Sequence, residues 1–243
     1  MLAGDAVHLF TPTGGFGMNT GMDDAANLSW KVAALVQGWG GANLLPSYEM
    51  ERKPIAHRNT TAARELNKQL ANMPDTTAID EESPEGEATR REISAHTATM
   101  SEEYASIGVQ LGARYDGSPV IAADGAPPHD DYLRYVPSGI PGGRAPHLWV
   151  GSGRGYGDSL YDRLGPGFTL LRLGGKAPDG AAIKQAARAR NVPLSVLDVP
   201  LPAARDLYER DLALIRPDQH VAWRGNTPPG DPDRLMAQLV GAA

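Results

Sequence analysis

The chain has 243 residues, a net charge of −6, and 41% hydrophobic and 21% charged residues. That is ordinary globular usage, so bulk disorder is excluded, and an acidic chain carries no electrostatic footprint for nucleic acid or an anionic membrane. There is no cysteine, which excludes disulfides, thiolate nucleophiles, cysteine-ligated metals and dithiol redox chemistry, and fits a cytoplasmic location.

No run approaches the ~18 apolar residues of a membrane helix, and no basic and apolar leader opens the chain. The 28 glycines and 20 prolines cluster at residues 12–21 and 116–167 without a period, so the chain is loop-rich and is not a repeat array. Met1-Leu2-Ala3 reads as the end of a buried strand, followed by a turn at Gly4-Asp5. Gly14, Gly15, Gly17 and Gly21 then make a loop in which backbone can approach a ligand closely. Thr20 and Asp23 suit a capping box that opens a helix. Ala25, Leu28, Val32 and Leu35 form one apolar row of that helix, and Ala26, Trp30 and Ala33 a second. A helix apolar over most of its circumference is expected to be buried, and Gly38, Gly40 and Gly41 to end it.

A second helix is expected from Ser47 towards Leu70, kinked or restarted at Pro54. Residues 75–87 are acidic and read as an exposed linker. Ala88 to Leu111 reads as a helix with Ile93, Met100, Tyr104 and Ile107 facing inward. Residues 115–167 are rich in Pro, Gly and Asp, and suit an irregular segment wrapped over a neighbouring surface. A compact α/β pattern follows. Strands are expected at 168–173 and 194–199, helices at 179–190 and 231–240, and a hairpin of 212–215 and 220–223 around Arg216-Pro-Asp-Gln219. With a short helix after the second strand, this is the order of a thioredoxin-like core.

The chemistry points to the amino end. Asp5 follows a strand's carboxyl end, where α/β proteins bind ligands, and its carboxylate can accept hydrogen bonds from polyol hydroxyls. The glycine loop leads into a helix N-terminus that can hold an anion, although a purely structural strand–loop–helix turn uses the same residues. His8 reads as a structural hydrogen-bonder rather than a base, and Trp30 as core. Glu49, Glu51, Arg52 and Lys53 read as surface or interdomain ion pairs. The six histidines show no metal-ligand spacing, and Gly151 to Gly157 lack the ending of a phosphate loop.

The run Gly4-Asp5-Ala6-Val7-His8, with Pro12 seven residues after Asp5 and then Gly17-Met18-Asn19, resembles the second flavin-binding motif of the class A FAD-dependent aromatic hydroxylases, the p-hydroxybenzoate hydroxylase and phenol hydroxylase type. The segment from Asp23 to Lys31 resembles that family's D-A-x-N-L-x-W-K helix. Leu45 to Pro54 resembles its next helix pair, and Gly139 to His147 and Ile215 to Arg224 resemble parts of its carboxyl-terminal domain. The resemblance implies that Asp5 hydrogen-bonds the ribityl chain of FAD and that the Pro12 loop, with Gly15, lies against the flavin ring. It implies that the backbone at Gly17, Met18 and Asn19 faces the pyrimidine side. It also implies NADH or NADPH as reductant, oxygen as co-substrate, a small phenolic substrate, and a homodimer or a missing amino-terminal half as partner.

The family's opening G-x-G-x-x-G and its mid-chain Asp-Gly motif have no counterpart here, so the chain is expected to be the carboxyl-terminal portion of such an enzyme. The expected fold is α/β: residues 1–72 as the tail of an FAD-binding domain with long helices, 73–115 as an acidic linker and helix, and 116–243 as a thioredoxin-like domain without CxxC. The expected function is FAD-dependent hydroxylation of a phenolic substrate. The alternative is a non-catalytic thioredoxin-like interaction module with a vestigial flavin segment.

Overall fold

A computed structural model describes residues 1–99 and 105–243. Two long helices lead. α1 spans Phe16–Val36 and α2 spans Pro46–Ala71. α3 (Pro84–Thr99) and α4 (Ile107–Leu111) follow. The strands are β1 (Phe168–Leu173), β2 (Leu194–Val199), β3 (Leu212–Ile215) and β4 (Val221–Gly225). α5 (Ala181–Ala189), α6 (Pro202–Tyr208) and α7 (Pro232–Leu239) complete the described elements. No helix among the described residues is long and apolar enough to cross a membrane.

The strands form one sheet in the order β2-β1-β3-β4, with β1 parallel to β2 and antiparallel to β3, and β3 antiparallel to β4. β1 is central and apolar on both faces, as a strand covered on both sides must be. Phe168 and Leu170, with Leu212 and Leu214 of β3, pack against α5 and α7. Leu171 and Leu173, with Ala213 and Ile215, pack against Ala204 and Tyr208 of α6 and against Leu160 and Ala145. The first of these clusters also takes in Trp30 and Ala34 of α1, and Trp39 and Leu44 of the corner after it. The sheet and α1 therefore share a core. The carboxyl end closes against the same corner, where the Gly41 N–H donates to Val240 O (2.7 Å) and the Asn43 N–H to Gly241 O (2.9 Å).

The strands lie where the sequence places them, and 115–167 is irregular and wraps the sheet. Its Ala122 N–H donates to Ala222 O of β4 (2.9 Å), and Gly142 and Gly143 exchange hydrogen bonds with Val221.

Several expectations are corrected. Residues 1–3 form no strand, and Met1 and Leu2 are exposed, because among the described residues no strand lies beside them to pair. α1 starts at Phe16, a turn before the expected cap. The left-handed backbone at Gly14 and Gly15 (φ 79° and 66°) turns the chain straight into the helix. Thr20 is consequently a buried interior residue whose Oγ1 accepts from Asn59 Nδ2 (3.0 Å). Of the two outcomes expected at Pro54, a restart does not occur, since α2 runs through it as one helix. The helix expected from 88 to 111 is interrupted at Ser106, and Ile107 is 41% exposed rather than inward. Met100 and Tyr104 lie outside the described residues.

Candidate functional site

The buried side of α1 is polar. Thr20, Asp24, Asn27 and Lys31 face inward with Phe16, Trp30 and Ala34, whereas Ala25, Ala26 and Val32 of the expected apolar rows are exposed. Desolvating such side chains is unfavourable unless each finds a partner, and the partners come from α2 and from the β3–β4 turn.

Glu51 is the centre of one network. Its Oε1 accepts from Ser118 Oγ (2.6 Å) and Arg216 Nη1 (2.6 Å). Its Oε2 accepts from Lys31 Nζ (2.7 Å), Asn27 Nδ2 (2.7 Å) and Arg216 Nη2 (2.9 Å). Arg216 also forks onto Asp218, and its guanidinium lies over the rings of Trp30 (5.1 Å) and Tyr115 (5.2 Å). Two cations and two carboxylates balance. Burial pushes the Glu51 carboxyl upward, but Arg216 and Lys31 more than offset this and hold it at about 2. Asp218 is likewise held well below the usual carboxylate range by Arg216 and His220, against the effect of burial. Burial draws the Lys31 ammonium down to about 8, against the pull of Glu51. Of the four residues expected as surface or interdomain pairs, Glu51 and Arg52 are thus interior, while Glu49 and Lys53 pair on the surface (3.1 Å).

Asp24 is the centre of a second network. Its Oδ2 accepts from the Gly4 N–H (3.0 Å) and contacts His8 Nε2 (2.7 Å), and its Oδ1 accepts from Arg52 Nε (2.7 Å). His8 is thus a hydrogen-bond partner of a buried carboxylate. Burial acts to raise the Asp24 carboxyl, but Arg52, the Gly4 N–H and His8 together hold it below its ordinary value. Arg52 donates further to Thr20 O (3.1 Å) and to Tyr115 Oη (3.3 Å). The sequence reading missed the role of Asp24 and its neighbours. Its signal was present, since Thr20, Asp24, Asn27 and Lys31 recur at spacings of four, three and four, one helical stripe of polar residues.

These networks fix the segment that holds the sequence-predicted residues. Asp5 lies exposed in a single 3₁₀ turn, Gly4–Ala6, laid against α1 so closely that a Cβ on Gly21 would stand 3.3 Å from Gly4 Cα. Pro12 precedes a second 3₁₀ turn, Thr13–Gly15, which runs directly into α1. Gly15 is the helix N-cap residue, and a Cβ there would meet nothing within 4 Å. Gly17 is pressed against Phe10, Met18 is 73% exposed, and Asn19 is exposed with its Nδ2 donating to Gly15 O (2.8 Å). Pro12, Gly15, Gly17, Met18 and Asn19 are thus together at one helix end. Asp5 stands on the neighbouring turn. Among the described residues no side chain caps this end of α1 and no acid lies in its first turn, so the positive end of a 21-residue helix dipole has no anion in that turn. Between the leading segment and α2, an open cavity of about 720 Å³ is lined by Leu2, Val7, His8, Tyr48, Lys53 and His57 among others, and by none of the sequence-predicted residues.

Residues 1–63 match the family model of an FAD binding domain, and residues 138–243 match that of the aromatic-ring hydroxylase carboxyl-terminal domain. The chain is 32% identical over 252 residues to the FAD-dependent monooxygenase opdD of Penicillium oxalicum, a match covering 100% of this chain and 47% of that protein. It is 31% identical over 269 residues to phenol 2-monooxygenase of Pseudomonas sp., covering 98% of this chain and 44% of the relative. Among solved structures, the rebeccamycin biosynthetic enzyme RebC with reduced flavin superposes with a TM-score of 0.89 at 35% identity, covering 100% of this chain and 45% of RebC. The chain spans about half the length of the curated relatives it matches. By both matched segments, and by its fold, it belongs to the class A FAD-dependent aromatic hydroxylases.

Proposed function

We propose that this chain supplies the carboxyl-terminal part of an FAD-dependent monooxygenase that hydroxylates a small phenolic ring with NADH or NADPH and oxygen. Residues 1–72 close the FAD-binding domain, 73–115 connect, and 116–243 form a thioredoxin-like domain whose lack of cysteine leaves it a structural or dimer-forming role. The observation that carries the reading is the exposed Asp5 carboxylate beside an uncapped helix N-terminus with open space at Gly15. The residues present fit the group. Asp5 can accept hydrogen bonds from ribityl hydroxyls, and Pro12 and Gly15 let a flat ring approach the backbone. The N–H groups of Gly17 and Met18, left without intrahelical acceptors in the first turn that leads to Asn19, favour negative charge on that ring. When bound, FAD supplies the electron transfer and oxygen chemistry, and the protein orients and tunes it.

The exposed apolar side chains Met18, Met22, Val32 and Val36 along α1, with Val7 and Leu9 before it, support a further portion of polypeptide seated on this surface. The test is FAD titration followed by flavin fluorescence. Asp5→Asn is expected to weaken FAD binding about tenfold, the order of one charge-assisted hydrogen bond. No binding by the chain, either alone or with the amino-terminal portion of phenol 2-monooxygenase supplied in trans, would overturn the reading.

A further inference from the structure

We propose that Asp24 and Arg52 are positioning residues, which clamp the turn carrying Asp5 and tie its placement to the carboxyl-terminal half of the chain through Tyr115. The proposal rests on the flavin reading above for what Asp5 contacts, but not for the clamp itself.

The leading segment lacks the usual means of holding a turn in place. Among the described residues it pairs with no strand, and Gly4 has left-handed backbone (φ 59°). Val7 and His8 N–H groups donate back to Gly4 O (2.9 and 3.2 Å), which closes the turn on itself but does not attach it to anything. The attachment is a charge. The Asp24 carboxylate, 1% exposed, takes the Gly4 N–H and the His8 ring on one oxygen. One residue beyond Gly4 is Asp5. Three further bonds pin the segment along α2, from Tyr48 Oη to Leu2 O (3.0 Å), from Thr11 Oγ1 to Ala63 O (3.3 Å) and from Thr13 Oγ1 to Asn67 Oδ1 (3.2 Å). Those are between neutral groups, whereas the bonds at Asp24 are to an ionised carboxylate, so it is the strongest of the set.

Arg52 decides the other oxygen of Asp24. Its Nε donates to Asp24, while its remaining nitrogens reach Thr20 O and the Tyr115 hydroxyl. A planar guanidinium that satisfies three acceptors at once has little freedom to turn. Tyr115 is 2% exposed and stacked on His220 of the β3–β4 turn, with ring centroids 4.1 Å apart. A continuous chain of contacts therefore runs from β4's entry through Tyr115, Arg52 and Asp24 to Gly4. It crosses from residue 220 to residue 4, so the sheet half helps to aim Asp5.

The test uses the full chain without flavin. Amide hydrogen exchange is followed at residues 4–8 and, as an internal reference, at Trp30–Ala34 of α1. Asp24→Asn is expected to speed exchange at residues 4–8 at least tenfold and leave the α1 reference unchanged. Tyr115→Phe, which keeps the stacked ring, is expected to speed the same turn two- to fivefold. The proposal is overturned if residues 4–8 are unprotected in the parent chain, or if Asp24→Asn leaves them unchanged. It is overturned too if that variant loosens the α1 reference equally, since that is loss of general stability. FAD titration of the same proteins separates the two claims. Local opening at residues 4–8 with no FAD bound by the parent chain, either alone or with the amino-terminal portion supplied in trans, supports the clamp and counts against the flavin reading. Local opening together with about tenfold weaker FAD binding in Asp24→Asn supports both.

Discussion

Glu51 shows how a fully buried carboxylate becomes a structural requirement. Five donors converge on it, from Asn27, Lys31, Ser118 and both terminal nitrogens of Arg216. Replacing the whole set by apolar groups need not be unfavourable, but removing one partner strands the others. Glu51→Gln leaves Lys31 and Arg216 facing a single acid, Asp218, and is expected to destabilise the chain by about 3–5 kcal/mol. Urea unfolding checks this through a lowered midpoint at unchanged slope. Adding Lys31→Met to Glu51→Gln restores the charge balance and is expected to recover part of the loss. The pH dependence follows from the same carboxylates. Their folded pKa values lie below the unfolded ones, with Glu51 at about 2 against 4.5 and Asp218 shifted the same way. The unfolded chain therefore takes up protons first, so stability is full above about pH 4.5 and falls as the pH drops towards 2. The Glu51→Gln variant is expected to show a shallower fall across that window, measured by urea midpoints at stepped pH.

At the scale of elements, the same network explains what the sequence conceals. Strands β1 and β2 are visible as short runs bounded by Gly and Pro, and their limits agree with the expectation: β1 is buried on both faces, which leaves little room for polar residues, while the edge strand β2 alternates apolar positions with Ser195 and Asp198. α1 is visible as a helix but not in its orientation. Periodicity assumes that apolar residues face inward, whereas here Asp24, Asn27 and Lys31 are inside because Arg52, Glu51 and Asp218 lie opposite them. Asp218 is 191 residues from Asn27, a pairing that no local window contains. The Asp5 turn and the glycine approach to α1 were legible from motif order, while the clamp that holds them was not.

Glycine at the corner after α1 is likewise a tertiary requirement. A Cβ on Gly41 would stand 2.3 Å from Gly241 O and 2.5 Å from Ala242 Cα, both backbone atoms that cannot rotate away. Gly41→Ala is expected to cost about 1–3 kcal/mol as the carboxyl end lifts from the corner. Gly230→Ala, where a Cβ meets nothing within 4 Å, is expected to stay within ~0.5 kcal/mol of the parent. Thermal melts of the two variants side by side check the contrast.

For the whole molecule, the question is whether 116–243 stands alone, as its run of strands and helices in one sheet suggests. The face of the sheet bearing Phe168 argues against it. Phe168 is fully buried, and its ring meets Trp30 edge-on at 5.9 Å and Trp39 at 6.4 Å, with the two indoles stacked at 6.2 Å. Arg216, also fully buried, relies on Glu51 of α2 for two of its hydrogen bonds. Excising 116–243 would remove both tryptophans from Phe168 and leave Arg216 with Asp218 alone, so the excised piece exposes apolar surface and a half-satisfied cation together. Loss of a single buried aromatic costs about 3–5 kcal/mol, and at this size 1 kcal/mol moves the melting point by ~2–4 °C. The excised 116–243 fragment is therefore expected to melt at least ~10 °C below the full chain, and Trp30→Ala in the full chain to lose a comparable amount. Near-coincident melts of fragment and full chain would show instead that α1 and its corner contribute little to the sheet. The shared aromatic cluster would then serve to seat α1 and its corner on a sheet already folded.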